Sequence, residues 1–224
     1  MSDYLSNEYD TSKRPLTSYP EKLAKHIFEK YSMKPGDSIL EIGAGRCELL
    51  SGFKKLGMIC YAIDAAPSSK KWADDSGIYF ELLSFESKRP FKPFEKNFNF
   101  IISKSFIEHI DTPVEYGVKC MEILVNNGIC IVLTPDFESN YRIFFDDLTH
   151  IKPFTVPSLT QLFESVGYKE IEVSRFRQLP STWNSRAINS LAWLTSLFAH
   201  HRAKNKWLRW SRELMIIGSG KKIK

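Results

Sequence analysis

Short apolar runs alternate with amphipathic stretches along most of the chain, and the two periods predict a repeating strand–helix order. Leu23, Ala24, Ile27 and Phe28 follow Pro20 at helical spacing and are closed by Pro35-Gly36-Asp37. Ser38–Ile42 reads as a short strand ending at Gly43-Ala44-Gly45. Leu49, Leu50, Phe53 and Leu56 then mark a helix stopped by Gly57, and Met58–Ile63 is a second strand ending at Asp64. Further strands are predicted at Ile78–Leu83, Phe98–Ser103 and Ile129–Thr134, with helices at Val114–Val125 and Ser158–Val166. The first of these helices has Asn126-Asn127-Gly128 as its stop and the second has Gly167; Ile171 and Val173 then alternate with charge as in a strand. Elements of this length in this order imply an α/β, Rossmann-like, doubly wound and mostly parallel sheet with helices on both faces.

The rhythm breaks near the end. Residues 181–212 are rich in tryptophan and basic side chains, and Glu213–Gly218 follows as a last apolar strand. Its position after a long excursion allows it to return antiparallel to its neighbours, as the seventh strand of the sheet. With no linker signature, the chain reads as one domain over 1–224. Residues 1–35 form a helical cap and 181–212 a helical insert before the last strand.

Composition narrows the class without changing this picture. The chain is 43% hydrophobic and 25% charged, ordinary for a folded soluble protein. Cys47, Cys60, Cys120 and Cys130 form no C-x-x-C pair, so buried free thiols are expected rather than a metal or disulfide framework. MSDYLSNEYDTSKRP lacks an apolar core, and no stretch reaches the ~18–20 apolar residues of a spanning helix. A cytoplasmic protein is the expectation. The net charge of +5 is too modest to indicate nucleic acid, and no glycine-rich, aromatic and basic array accompanies it; no nucleic-acid partner is expected.

The chemistry concentrates in residues 38–64. A strand running into Gly-x-Gly and then a helix lets backbone N–H groups approach a ligand, at the strand ends where ligands collect in doubly wound sheets. Asp64, closing the second strand, suits two ribose hydroxyls. Two cofactor classes share this layout. A dinucleotide site wants G-x-G-x-x-G/A, but the sixth position here is Glu48, unfavourable beside a pyrophosphate. Glu41 instead places an anion where the sulfonium and amino group of S-adenosylmethionine would benefit from one.

At this point a family resemblance emerges. LEIGAGRCELL, YAIDAAPSS, FNFIISKSFIEHIDTP, GICIVLTPD and DLTHIKPFTVPSLTQLFESVGY resemble the successive motifs of class I S-adenosylmethionine-dependent methyltransferases. The nearest branch is the type 11/type 12, ubiquinone-methyltransferase-like one. The likeness covers roughly residues 15–178, and ELMIIGSGKK resembles the family's antiparallel seventh strand. It implies that Glu41, Gly43, Ala44 and Gly45 hold the methionine part of the cofactor and Asp64 the ribose. Ala65 and the segment 82–84, with Leu83 and Ser84, are placed beside the adenine, and Ser103 near the transferred methyl. Two departures stand out: the third glycine of the loop is Cys47, and the usual Asp of the fourth strand is Asn99.

On the acceptor side, His109 after the fourth strand and His150 in DDLTHIKPF are the candidate bases, with His150 preferred. No metal ligand is assigned. There is no [N/D]-P-P-[Y/F] run, which argues against adenine or amide methylation and for a small-molecule, glycan or lipid-linked hydroxyl. The insert at 181–212 has two readings. One is a helical cover over the acceptor pocket. The other is an interfacial element on an anionic membrane, with tryptophans at headgroup level. An NAD-linked oxidoreductase and a non-catalytic relative that binds the same cofactor remain the alternatives.

Overall fold

In the computed structural model, which describes residues 15–86 and 91–223, the first strand β1 (Ser38–Ile42) is buried at every position. A strand covered on both faces must read this way. Its Ile39 joins a cluster with Leu23, Ile27, Leu50 and Phe53, while Leu40 and Ile42 join a second with Phe98, Ile101, Tyr116, Leu159 and Phe163. The alternation of one strand therefore feeds two cores, one per face of the sheet.

The first core is closed by α1 (Tyr19–Lys30) and α2 (Glu48–Lys55). These helices approach closely because Gly52 has no side chain: a Cβ there would stand 2.7 Å from Cβ of Ala24. The strand β2 (Ile59–Asp64) and the helix α3 (Ser69–Ser76) follow, then β3 (Tyr79–Leu82) and β4 (Phe98–Lys104). The pattern gave no sign of α3, since SKKWADDS buries only Ser69 and Ala73. Its ion pairs Lys70–Asp74 and Lys71–Asp75 support it at i,i+4 spacing.

The second core is closed by α4 (Pro113–Ile123) and α6 (Val156–Val166), with β5 (Leu124–Pro135) and the single turn α5 (Phe137–Asn140) between them. The predicted stop at Asn126-Asn127-Gly128 lies inside β5: the helix ends at Ile123 and the strand begins at once. A shift of register against β4 absorbs the irregularity, and Asn127 takes φ of 65°. The chain closes with β6 (Lys169–Arg177), α7 (Pro180–Trp183), α8 (Arg186–Ser196), α9 (Lys206–Arg212) and β7 (Leu214–Lys221).

The sheet order is β3-β2-β1-β4-β5-β7-β6. The first five strands are parallel, and β7 runs antiparallel to both β5 and β6. This is the seven-stranded, mostly parallel arrangement with an antiparallel final strand that the pattern predicted. The carboxyl ends of β1, β2 and β4 consequently share one edge. Among the described residues, no helix is long and apolar enough to cross a membrane.

Candidate active site

Three chain segments meet at that edge: the glycine loop after β1, Asp64 at the end of β2, and the residues after β4. Gly43 takes φ of +74° and Gly45 +50°, a backbone region that favours glycine. A Cβ on Gly43 would also lie 2.5 Å from Cδ2 of Phe106, so the segment after β4 packs directly on the loop. The loop is fastened on its other side. Gly43 and Ala44 donate their N–H groups to the carbonyl of Ile63, and Gly45 donates to Oδ2 of Asp64 at 2.7 Å. The other carboxylate oxygen of Asp64 accepts from Ala66 N–H at 2.8 Å. Each oxygen can accept more than one hydrogen bond, so capacity remains for ribose hydroxyls.

Glu41 lies beneath the loop, buried, with Oε2 lacking a hydrogen-bond partner. Burial raises its pKa to about 8, with the nearby carboxylates of Asp64 and Glu48 adding to the effect and Lys104 opposing it. A buried carboxyl with one unpartnered oxygen under a glycine cradle fits a cationic ligand. The remaining cofactor candidates flank it. Ala65 and Ser84 are exposed and Leu83 half-buried. Leu83 N–H bonds the carbonyl of Asp64, which draws the end of β3 to the end of β2.

Ser103 lies one residue before the end of β4. It is fully buried, and its Oγ accepts from the Tyr116 hydroxyl at 2.8 Å, so its side chain belongs to the core of the second face. Its neighbour Lys104 carries the charge felt by both Glu41 and Glu108. Sequence reasoning missed this lysine, which a basic residue closing an otherwise apolar strand could have signalled. It also missed Arg46, which pairs with Glu48 at 2.8 Å. Glu48 is thus neutralised locally, and its repulsion of a pyrophosphate is weaker than its position in the motif suggests.

The two departures from the motif have separate explanations. Cys47 caps α2 with φ 53° and ψ 21°, the left-handed conformation that explains a glycine preference at this position. Its side chain is buried, and burial pushes the thiol far above its ordinary pKa. Asn99 lies at the start of β4, at the opposite edge of the sheet from the loop. Its Oδ1 accepts from both N–H and Oγ of Ser38, each at 2.9 Å.

The two histidines come together after β4, with ring centroids 4.8 Å apart. His109 Nδ1 faces the carbonyl of Thr149 at 3.1 Å and the Thr149 hydroxyl at 2.9 Å, and that hydroxyl donates to Asp147. Nδ1 of His109 is therefore the donor. His150 Nδ1 meets the carbonyl of Phe144 at 2.6 Å and must also donate. Both neutral rings then carry their lone pair on Nε2. Burial lowers the pKa of His109, and the neighbouring His150 adds to this. Glu108 joins them, buried, with Oε2 accepting from Thr134 at 3.0 Å and burial raising its pKa to about 7. Glu108, His109 and His150 each offer a ligand atom within 4.8 Å of the others, a donor set compatible with a divalent cation. The carbonyl of Glu108 accepts from Ile151 and Lys152, which pins the His150 loop over the site.

A profile described as a methyltransferase domain matches residues 15–173, most of the chain. The chain therefore belongs to the methyltransferase domain family, and its fold is that of the class I S-adenosylmethionine-dependent enzymes. A search of curated proteins finds no match. Among solved structures, it resembles a S-adenosylmethionine-dependent methyltransferase from Archaeoglobus fulgidus at 18% identity, covering 90% of this chain and 94% of that one, with a TM-score of 0.63. It is also similar to the Burkholderia thailandensis 1,6-didemethyltoxoflavin N1-methyltransferase, solved with 1,6-didemethyltoxoflavin and S-adenosylhomocysteine. The identity there is 15%, the coverage 100% and 87%, and the TM-score 0.64. A phosphoethanolamine N-methyltransferase from Haemonchus contortus gives 12%, 99% and 60%, and 0.65.

Proposed function

We propose that this S-adenosylmethionine-dependent methyltransferase methylates a hydroxyl on a small-molecule, glycan or lipid-linked acceptor. Glu41 and the loop Gly43-Ala44-Gly45 hold the methionine end of the cofactor. Asp64 holds the ribose, and Ala65 with Leu83 and Ser84 flanks the adenine. When bound, S-adenosylmethionine supplies an electrophilic methyl group. The protein's own work is to align the acceptor and remove its proton.

The observation that carries the hydroxyl reading is the pair of Nδ1-to-carbonyl bonds at His109 and His150, which leaves a lone pair on Nε2 of each ring, that of His150 lying 3.9 Å from a carboxylate oxygen of Asp147. A hydroxyl must lose its proton as it is methylated, and a neutral imidazole takes it near pH 7. His150 takes that proton, and Asp147, 3.9 Å from its Nε2, offsets the charge the ring gains. Two of the compared proteins are N-methyltransferases, so the choice between oxygen and nitrogen rests on these histidines and on the missing amide-gripping motif.

The test is methyl transfer from labelled cofactor to hydroxyl and amine acceptors by wild type, Asp64→Ala and His150→Ala. Label on hydroxyl acceptors, lost on the order of a hundredfold in kcat with His150→Ala, supports the reading. Label confined to amines overturns it. Calorimetry that detects NAD but not S-adenosylmethionine overturns the cofactor assignment, and binding without any transfer points to a non-catalytic relative.

A further inference from the structure

α8 is an inverted amphipathic helix. It turns the small Ala192 into the protein, with Ala199 buried just past its end, while Leu191, Trp193 and Leu194 on the helix and Leu197 and Phe198 just after it are exposed. Phe198 is 85% exposed and Trp193 57%. A surface helix normally buries its large apolar side chains and exposes its small or polar ones. This one does the reverse, which marks a face made to be covered.

A second apolar group belongs to the same face. In the loop over the site, Leu148 is 95% exposed, and Phe145, Tyr141 and Ile151 are exposed beside it. The loop is joined to the connection between α8 and α9: Arg202 pairs with Asp146 at 2.7 Å, and the ring of Tyr141 meets that of His201 edge-on. An apolar cleft of about 430 Å³, lined by Leu194, Phe198, Ala199 and Leu208, continues the surface between the two helices.

Charge identifies what covers it. Residues 180–212 contain six Lys and Arg and no Asp or Glu, and although the loop 141–151 sets Asp146 and Asp147 against Arg142, with Asp146 paired to Arg202, the two segments together stay strongly positive. Lys206 and Trp210 lie elsewhere, at 4.3 Å from one another beside Tyr19 of α1, and take no part in this face. A second copy of the chain would bring the same positive charge against it. An anionic bilayer supplies apolar depth and negative headgroups together.

We propose that α8 and the loop 141–151 form one docking face for an anionic membrane surface, and that the acceptor hydroxyl is carried on an amphiphile resident in that membrane. The loop that enters the interface through Leu148 also holds His150 over the site, so docking brings the mouth of the site to the headgroup layer. The acceptor part of this proposal rests on the methyltransferase reading above; the docking part rests on the surface alone.

The experiment is co-sedimentation of the full chain with phosphatidylcholine vesicles and with vesicles of phosphatidylcholine mixed with phosphatidylglycerol. Partition into the anionic vesicles is expected, weakening with salt, with a blue shift of tryptophan fluorescence. Leu194→Ser/Leu197→Ser/Phe198→Ser and Leu148→Glu should each weaken partition on the order of tenfold. Their melting curves should match wild type, since these side chains are half exposed or more. Equal recovery in the supernatant with both lipids overturns the proposal, as does unchanged partition of well-folded variants. Concentration-dependent dimers without vesicle binding overturn it in favour of self-association. Calorimetry with S-adenosylmethionine on the same samples reads the enzymatic assignment separately: lipid binding without cofactor affinity would sink that assignment and leave the docking face standing.

Discussion

The N–H of Gly45 donates to Oδ2 of Asp64, so the residue assigned to the ribose also holds the glycine loop in shape. With Ala66 N–H on Oδ1, the carboxylate ties together the turns that follow β1 and β2. Asp64→Ala should therefore act twice. Loss of the acceptor leaves backbone donors unsatisfied, at about 1–3 kcal/mol of stability. The cofactor dissociation constant should rise on the order of ten- to a hundredfold. Asp64→Asn keeps one acceptor oxygen and should recover much of the stability but little of the affinity. Thermal melts alongside calorimetry separate the two effects, and an Asp64→Ala protein with wild-type affinity would remove this residue from the site.

Glu41 gives the site a pH signature. Its pKa rises from an ordinary 4.5 to about 8, so between these values the folded chain keeps a proton that the unfolded chain has lost. Its contribution to stability is complete below pH 4.5, declines as pH rises to about 8, and is constant above. Glu108, raised to about 7, acts in the same direction over a narrower window. A cationic ligand favours the ionised carboxylate, so cofactor affinity should climb by up to about tenfold per pH unit below pH 8. Calorimetry in buffers of different ionisation enthalpy should register proton release at pH 7. Glu41→Gln should flatten the affinity profile and leave only the Glu108 contribution in the stability profile, and an affinity slope surviving that substitution would assign the proton elsewhere.

Cys47 should tolerate glycine. The left-handed backbone costs a non-glycine residue ~1–2 kcal/mol, while Cys47→Gly loses a small buried side chain and gains unfolded-state entropy worth about as much. Stability is expected to stay within about 1 kcal/mol of wild type, with unchanged cofactor affinity. Cys47→Val, β-branched in the same conformation, should lose about 1–3 kcal/mol. Calorimetric melts decide, and a glycine variant that no longer binds cofactor would show that the thiol itself holds the ligand.

Asn99→Ala tests the other departure from the family motif. It removes the acceptor for two Ser38 donors, so stability should fall by about 1–3 kcal/mol. Turnover at saturating substrate should stay at the wild-type level, because the residue lies at the opposite edge of the sheet. A fall in kcat without a change in melting would reverse this reading.

The sheet and cofactor loop were legible because they rest on local signals. The apolar run Ser38–Ile42, the glycines that follow it and the acid closing β2 each occupy positions where few other residue types fit. The helix SKKWADDS was hidden, since one buried alanine and a row of ion pairs leave no apolar stripe. The direction of Ser103 was also beyond reach: alternation along β4 says that neighbours face opposite sides, while the Tyr116 hydroxyl that claims this serine lies thirteen residues away on another element. His109 and His150 illustrate the same limit. Each was visible as a titratable residue, but their 4.8 Å proximity arises from a loop folded back through the carbonyl of Glu108.

The sheet order has a consequence for synthesis. β6 touches the sheet through β7, the last strand to be made, so it leaves the ribosome with no neighbour to join. Residues 180–212 emerge next, and the growing chain must hold β6 and the outward-facing α8 in waiting until β7 arrives to zip both sides at once. At ordinary elongation rates this interval lasts on the order of seconds. During that time, both β6 and the outward-facing α8 are accessible to any nearby bilayer or chaperone, and once β7 is in place the α8 side chains remain so.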